Sequence, residues 1–253
     1  MNATYLSRRT KLLGSICGVV VLAALVLLFA LVGMPASGKL FGTTVNGYEI
    51  KPEANLDGAD LRGADLRGVD LHLASLNEAK LDGADLTGAN LQGAKLHRAS
   101  LYGAKLDGAD LTGASLQSAK LDGASLAKAK LSGTNLKGAD LFDRANLAEA
   151  DLRQANLFGA RLEGADLSGA DLTEATLRST TFAEANLSNA NLSNTDLTGA
   201  NLVYAKLTNA NLSGANLKQT NMAYANLTYA NLEGAKYCRT IMPDGSIRND
   251  QCS

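Results

Sequence analysis

Catalytic and metal-binding chemistry require reactive side chains at particular spacings, and this sequence offers few candidates. Its only two histidines, His72 and His97, lie 25 residues apart, which is not the spacing of a metal-binding pair. Serine and aspartate are abundant, but no motif brings together a nucleophile, a base and an orienting group. We therefore predict no catalytic residue, no metal ligand and no cofactor, and we expect that the protein is not an enzyme.

Cysteine and tyrosine side chains indicate other kinds of site. Cys238 and Cys252 flank a short segment near the C-terminus, and in an exported domain they could form a disulfide that pins it; two free thiols are the alternative. Tyr204 and Tyr224 are 20 residues apart, and Tyr229 follows five residues later. Such a pair most often simply stacks and seals a corner; an aromatic patch that contacts a partner is the alternative.

These candidates lie in or beside a repeat in which leucine recurs every five residues from Leu56 to Leu141, usually with alanine two positions earlier. In an α-helix, five steps turn about 140° beyond a full turn, so the leucines would be scattered. In an extended chain, residues two apart face the same side. The polar residue and glycine that follow, as in Asp57-Gly58, suit a corner. The pattern predicts a solenoid with alanine and leucine inside and hydrogen bonds between coils.

The tandem A(D/N)LxG units resemble the pentapeptide-repeat family over residues 54–236, which is roughly thirty-six units. The resemblance implies an all-β fold, a right-handed quadrilateral parallel β-helix with four units in each coil. The phase breaks once, because Leu147 follows Leu141 after six residues. We place a one-residue insertion near 142–144, either as a tolerated bulge or as a kink that aims a binding surface.

Segments outside the repeat are predicted to cap the solenoid. Residues 35–53 are predicted to be a linker and a cap strand or hairpin that turns at Asn46-Gly47. Residues 237–253 are predicted to form a C-terminal hairpin cap, with short strands at 240–242 and 246–248 around a Pro-Asp-Gly turn. This tail resembles the C-terminal caps of cyanobacterial members of the family.

The N-terminal region predicts a membrane anchor. Residues 12–34 are uncharged and mostly apolar, long enough for a transmembrane helix, and we interpret them as a retained signal anchor; a cleaved signal peptide is the alternative. Segment 1–11 is basic through Arg8, Arg9 and Lys11, which predicts a cytoplasmic N-terminus. We expect a single-pass membrane protein whose repeat domain lies in the periplasm or the thylakoid lumen.

Charge and composition narrow the function. A formal net charge of -1 excludes a polybasic nucleic-acid binder and a strongly acidic protein, so we expect no nucleic-acid partner. We predict a non-enzymatic, membrane-tethered scaffold that presents a rigid β-helical rod to an unknown protein or envelope partner. The family resemblance also implies a possible homo-oligomer, because family members commonly associate end to end. The alternative that it suggests is a DNA-mimicking regulator of DNA gyrase, from which this chain departs by its interspersed Lys and Arg and its predicted export.

Overall fold

The computed structural model of the protein describes residues 43–250 and residue 252. The predicted cytoplasmic segment 1–11, the predicted anchor 12–34 and the first part of the predicted linker lie outside these residues. Among the residues that are described, no helix is long and apolar enough to cross a bilayer. All the described residues belong to one compact unit.

Residues 55–241 wind into a parallel β-helix. Each unit contributes a single bridge residue, the one before the leucine, and successive bridges join residues 20 apart, such as Asn55 to Ser75 and Ser75 to Lys95. Because a bridge residue occurs every fifth position and each coil takes twenty residues, each coil has four sides. The interval of two between alanine and leucine keeps both on the inner side of each short extended edge.

Three backbone hydrogen bonds per unit hold the coils together. In the unit around Leu61, its N–H donates to the Lys80 carbonyl at 2.8 Å, and the N–H of Lys80 donates back to the Ala59 carbonyl at 2.8 Å. The N–H of the corner residue Gly63 donates to the Asp82 carbonyl at 2.9 Å. The ladder repeats along the stack, so the backbone groups of adjacent coils satisfy one another.

Every corner requires a left-handed backbone conformation. Gly63 has φ 62°, and residues with side chains adopt the same conformation where glycine is replaced, as at Tyr204 with φ 59°. Left-handed backbone costs a residue with a Cβ about 1 kcal/mol or more. The corner geometry therefore explains why glycine is frequent in the repeat. Where another residue replaces glycine, the contacts of the surrounding coil must offset the cost of its left-handed backbone.

The interior is a closed stack of alanine and leucine side chains. Leucines of the repeat from Leu61 to Leu217 are 0% exposed. Phe182 and Met222 take the leucine position, and Thr134 and Thr180 take the alanine position. The buried hydroxyl of Thr180 donates to the Leu157 carbonyl at 2.7 Å. A threonine is tolerated inside because it has a backbone acceptor in the preceding coil.

The extra residue of the repeat lies at one corner, in residues 142–144. Two consecutive residues there, Asp143 and Arg144, have positive φ values of 53° and 63°. The bridge that follows joins Ser125 to Asn146, which are 21 residues apart instead of 20. The insertion widens a corner without disturbing the interior, since Leu141 and the next alanine and leucine stay 0% exposed.

A hairpin precedes the first coil. Strand β1 (Thr43–Val45) pairs antiparallel with β2 (Tyr48–Ile50) across an Asn46-Gly47 turn. Both turn residues have positive φ, 51° and 85°, as a tight two-residue hairpin requires. Ile50 is buried against the first coil, and this contact covers the end of the stack.

A second hairpin follows the last coil. Strand β3 (Thr240–Ile241) pairs antiparallel with β4 (Ile247–Arg248). Ile241 also bridges to Asn221, so the parallel ladder continues past residue 236, with Tyr237 at a leucine position and Thr240 at an alanine position. On the other two sides of the last coil, Leu227 and Leu232 remain partly exposed.

Candidate interaction surfaces

The structure brings two of the three predicted contact tyrosines together. The rings of Tyr204 and Tyr224 stack with centroids 5.0 Å apart and an interplanar angle of 12°. Because they occupy the same corner in successive coils, the spacing of the coils sets the stacking distance. The ring of Tyr229 lies at the next corner, outside this stack, and Tyr229 is 85% exposed.

The stacked tyrosines adjoin small apolar side chains on the same side of the β-helix. Val203 and Ala223 precede Tyr204 and Tyr224 in the chain, and both are half-buried. We call these four residues the tyrosine patch. The two tyrosines are 57% and 68% exposed, although stacking already hides one ring surface of each. A flat apolar area with two phenolic hydroxyls at its edge suits contact with another macromolecule.

Cys238 and Cys252 form a disulfide in the structure, with Cα atoms 4.7 Å apart. The disulfide attaches the C-terminal tail to the side of the last coil. Next to it, the guanidinium of Arg248 lies 3.7 Å from the ring centroid of Tyr237. Burial raises the pKa of the Tyr237 hydroxyl. These contacts make the disulfide part of the C-terminal cap.

Histidine supplies no metal site in the described residues. Nδ1 of His72 lies 2.9 Å from Oδ1 of Asp70, which is an ordinary pair within one unit. His97 lies one coil further along and on the adjacent side. Among residues 43–250 and 252, no group of three or more histidine, cysteine, aspartate or glutamate side chains could hold a metal ion.

One buried carboxylate, Asp122, lies near the bulge and lacks the partner that three equivalent aspartates have. Three aspartates that follow a leucine accept a hydrogen bond from a serine one coil further along: Asp57 from Ser75, Asp82 from Ser100, and Asp107 from Ser125. Asp122 has the equivalent position, but it faces Asp140 in place of a serine, and its buried Oδ1 has no partner. Burial raises the pKa of the Asp122 carboxyl, and the Asp140 carboxylate raises it further.

Carboxylates that pair with an arginine of the same unit have lowered pKa values. Asp60 receives hydrogen bonds from the guanidinium of Arg62, which holds the pKa of the carboxyl at about 2. Asp151 and Arg153 repeat this pair, and the pKa of Asp151 is lowered for the same reason. Such pairs within one unit neutralise charge locally.

Charge is unequally distributed over the four sides of the β-helix. One side carries seven Lys and Arg side chains against three carboxylates within residues 54–239, a net charge of +4. We call it the basic face, and its bridge residues are Asn55, Ser75, Lys95, Ser115, Asn135, Asn156, Thr176, Asp196, Asn216 and Lys236. Over the same residues the side that follows it has five cations against seven carboxylates, the next has four against five, and the last has two against six.

Sequence reasoning missed the basic face. It treated Lys and Arg as interspersed on the same faces, because in the linear sequence acidic and basic residues alternate. The available signal is the spacing of 20, corrected to 21 across the coil that holds residues 142–144. Adding that one residue aligns Lys137 with Arg178 and Lys218 on one side.

A β-helix of four-sided coils with alanine and leucine inside defines a class of repeat protein. Eight copies of the family model Pentapeptide repeats match this chain, over residues 54–93, 74–113, 109–143, 142–173, 175–214 and 200–236. The chain belongs to the pentapeptide-repeat family, which confirms the resemblance drawn from the repeat. Its members form right-handed quadrilateral β-helices.

Solved structures show what the chain is similar to. HetL, a pentapeptide repeat protein involved in heterocyst differentiation regulation from the cyanobacterium Nostoc sp. strain PCC 7120, is 39% identical, with a TM-score of 0.58. That match covers 78% of this chain and 92% of HetL. Among curated proteins, no sequence matches the chain.

Two further structures are less similar. A pentapeptide repeat protein from the Arabidopsis thaliana thylakoid lumen is 36% identical over 48% of this chain and 70% of its own, with a TM-score of 0.18. QnrB1, a plasmid-mediated fluoroquinolone resistance protein, is 22% identical over 60% of this chain and 88% of its own, with a TM-score of 0.29.

Proposed function

We propose that this protein is a non-enzymatic scaffold that is tethered to a membrane by residues 12–34 and binds a partner protein outside the cytoplasm. The observation that supports the proposal best is the tyrosine patch, in which two stacked tyrosines lie exposed on a rigid corner. Tyrosine contributes a large contact area at low conformational cost, and it is enriched at the centres of protein interfaces.

Rigidity and a filled interior favour binding over catalysis. Backbone hydrogen bonds join each coil to the next, so side chains on the surface keep fixed spacings. The interior positions are occupied by alanine and leucine, which leaves the exterior as the surface for recognition. Proteins of this family are generally structural or interaction proteins. HetL is described as involved in regulation, a role that a protein can fulfil by binding alone.

The membrane tether rests on the sequence of the N-terminal region. Arg8, Arg9 and Lys11 precede the apolar residues 12–34, and positive charge on that side favours a cytoplasmic N-terminus. The β-helix would then lie in the periplasm or the thylakoid lumen. A disulfide between Cys238 and Cys252 suits such an oxidising compartment.

Site-specific photocrosslinking in the cells that make the protein tests the binding surface. A photoreactive amino acid at Val203, within the tyrosine patch, should crosslink one discrete protein partner, and the product should disappear when Tyr204 and Tyr224 are both changed to alanine. The same photoreactive amino acid at Ser193, in the equivalent position on the opposite side, is the matched control. Equal crosslinking from both positions would contradict a partner site at the tyrosine patch.

A reporter fused after Ser253 tests the compartment. Activity that depends on export is the expected result. A reporter that is active in the cytoplasm would reject the exported scaffold and would leave the gyrase-regulator alternative standing. That alternative would then require inhibition of DNA supercoiling by the purified full-length protein.

A further inference from the structure

We propose that the basic face binds a linear acidic polysaccharide that lies along the β-helix. This surface is separate from the tyrosine patch. Its cations extend from Lys95 to Arg239, over eight coils whose seven intervals span about 34 Å at the usual strand spacing. The other three sides have more carboxylates than cations, so an anionic polymer is attracted to this side and repelled by the rest.

The cations of the basic face are regularly spaced. Lys137, Arg178 and Lys218 each follow a leucine on this side, and each is two coils from the next. Their backbone positions are therefore about 10 Å apart along the β-helix. His97 occupies the same column two coils before Lys137. A rigid row of cations at a constant interval matches a polymer whose negative charges also recur at a constant interval.

Most of these cations are available to a ligand. Within the described part of the chain, Lys95, Lys218, Lys236 and Arg239 form no salt bridge. Arg178 lies 3.8 Å from Asp196, but its side chain stays 55% exposed. Exposed pairs of this kind contribute little and are easily exchanged for another anion.

Neutral hydrogen-bonding groups lie beside the cations. Asn135 and Asn156 precede the leucines of two successive coils, and their side-chain oxygens accept the N–H groups of Lys137 and Phe158 at 3.2 and 3.1 Å. Their amide NH₂ groups donate to no other described residue. A sugar ring offers both hydroxyl groups and a carboxylate, so it can use amide donors together with the cations.

The spacing and the aromatic content disfavour nucleic acid. A nucleic acid strand carries one phosphate for about every 3.4 Å of duplex axis, much denser than cations about 10 Å apart. Single-stranded nucleic acid is held by several exposed aromatic rings on which bases stack. Phe158 is the sole aromatic side chain in the central part of the basic face, and the Lys137 ammonium lies 5.5 Å from its ring centroid.

A lipid surface fits less well for a related reason. Proteins that bind anionic bilayers combine basic residues with apolar side chains that enter the interface. Phe158 is 41% exposed, and its ring is shared with Lys137, so the face presents no free apolar wedge. A polymer with carboxylates and hydroxyls at intervals uses more of the groups that this face displays.

Binding of the full-length protein, in a neutral detergent, to hyaluronate oligomers, in which every second sugar carries a carboxylate, tests the proposal by calorimetry. We expect saturable binding that weakens as salt is raised, because cations and carboxylates replace their counterions. The triple variant Lys137→Glu, Arg178→Glu, Lys218→Glu should weaken binding about tenfold or more. The corresponding glutamine variant should give a smaller loss in the same direction.

A matched triple variant on the opposite side distinguishes the effect of losing cations from this face from the effect of changing the net charge of the protein. Lys105→Glu, Lys128→Glu, Lys206→Glu makes the same change in charge and should leave affinity within about threefold. Equal losses in both triple variants would overturn the proposal, as would the absence of hyaluronate binding. Binding to vesicles of anionic lipid, with no binding to the oligomers, would assign the face to a lipid surface instead. Unfolding curves confirm that each variant is folded.

Discussion

Asp140 stands one coil beyond Asp122, at the position where the three equivalent aspartates of the chain have a serine. A hydroxyl would donate a hydrogen bond to the buried Oδ1 of Asp122, whereas a second carboxylate can only repel it. The β-helix therefore contains one position where a favourable contact of its own repeat has been replaced by an unfavourable one.

Replacing Asp140 with serine should stabilise the protein. The change removes a like charge and supplies the missing donor, which is worth about 1 kcal/mol in the free energy of unfolding. The 3.5 Å contact between Asp140 and Arg161 is lost, but an exposed pair contributes less than that. Urea unfolding of the two proteins measures the difference. The reverse change, Ser100→Asp beside Asp82, should destabilise, and equal stabilities across the set would refute the explanation.

The Asp122 carboxyl should make stability depend on pH. Its pKa is raised in the folded protein, so the folded state holds a proton more tightly than the unfolded state. The contribution to stability is present at low pH and is lost as pH rises from the ordinary value of 3.8 through the raised value. Asp122→Asn should remove this loss, so the variant should gain most in melting temperature near neutral pH. A gain of the same size at every pH would show that the carboxyl does not titrate as described.

An acidic side chain in the interior should be severely destabilising. Leu121 is 0% exposed within the alanine and leucine stack, and Leu121→Asp would place a carboxyl among buried apolar side chains. We expect a loss of about 4 kcal/mol or more. Lys95→Asp, at an exposed bridge position between Ser75 and Ser115, is the control and should change stability by less than about 0.5 kcal/mol. An unchanged melting temperature for Leu121→Asp would mean that the assigned phase of the repeat is wrong.

The disulfide should protect two of the three cysteines from alkylation. Under denaturing conditions without reductant, mass spectrometry of the full-length protein should find Cys17 alkylated and Cys238 and Cys252 unmodified. Closing a loop of 14 residues limits the unfolded chain, so Cys238→Ser with Cys252→Ser should lower the free energy of unfolding of the cap by about 3 kcal/mol. Alkylation of all three cysteines without reductant would reject the bond.

Much of the β-helix could be predicted because the repeat determines each unit locally. The two-residue interval between alanine and leucine already places both side chains inside, and Thr134, Thr180 and Phe182 fit the same interior when they replace them. The number of sides could not be worked out from one unit. It depends on how sharply each corner turns, and the family resemblance supplied it.

The candidate sites were harder to predict because they depend on residues in different coils. The stacking of Tyr204 on Tyr224 follows from the coil length once that length is known. The unpartnered Asp122 and the basic face do not follow from local pattern, because each requires the register to be carried across the widened corner at Arg144. A one-residue error there assigns every later side chain to the wrong column.

Deleting Arg144 should therefore be tolerated, although deleting one residue from a regular corner should not. Without Arg144 the coil returns to twenty residues, every later leucine stays inside, and one of two consecutive left-handed residues is removed, which favours folding by about 1 kcal/mol. Deleting Ser179, a left-handed corner residue of an ordinary unit, would turn the following alanine and leucine outward. Circular dichroism and unfolding curves should show a stable β-helix for the first variant and loss of the structured C-terminal coils for the second. If the Arg144 deletion unfolds the protein as well, the extra residue is a structural requirement and not a tolerated bulge.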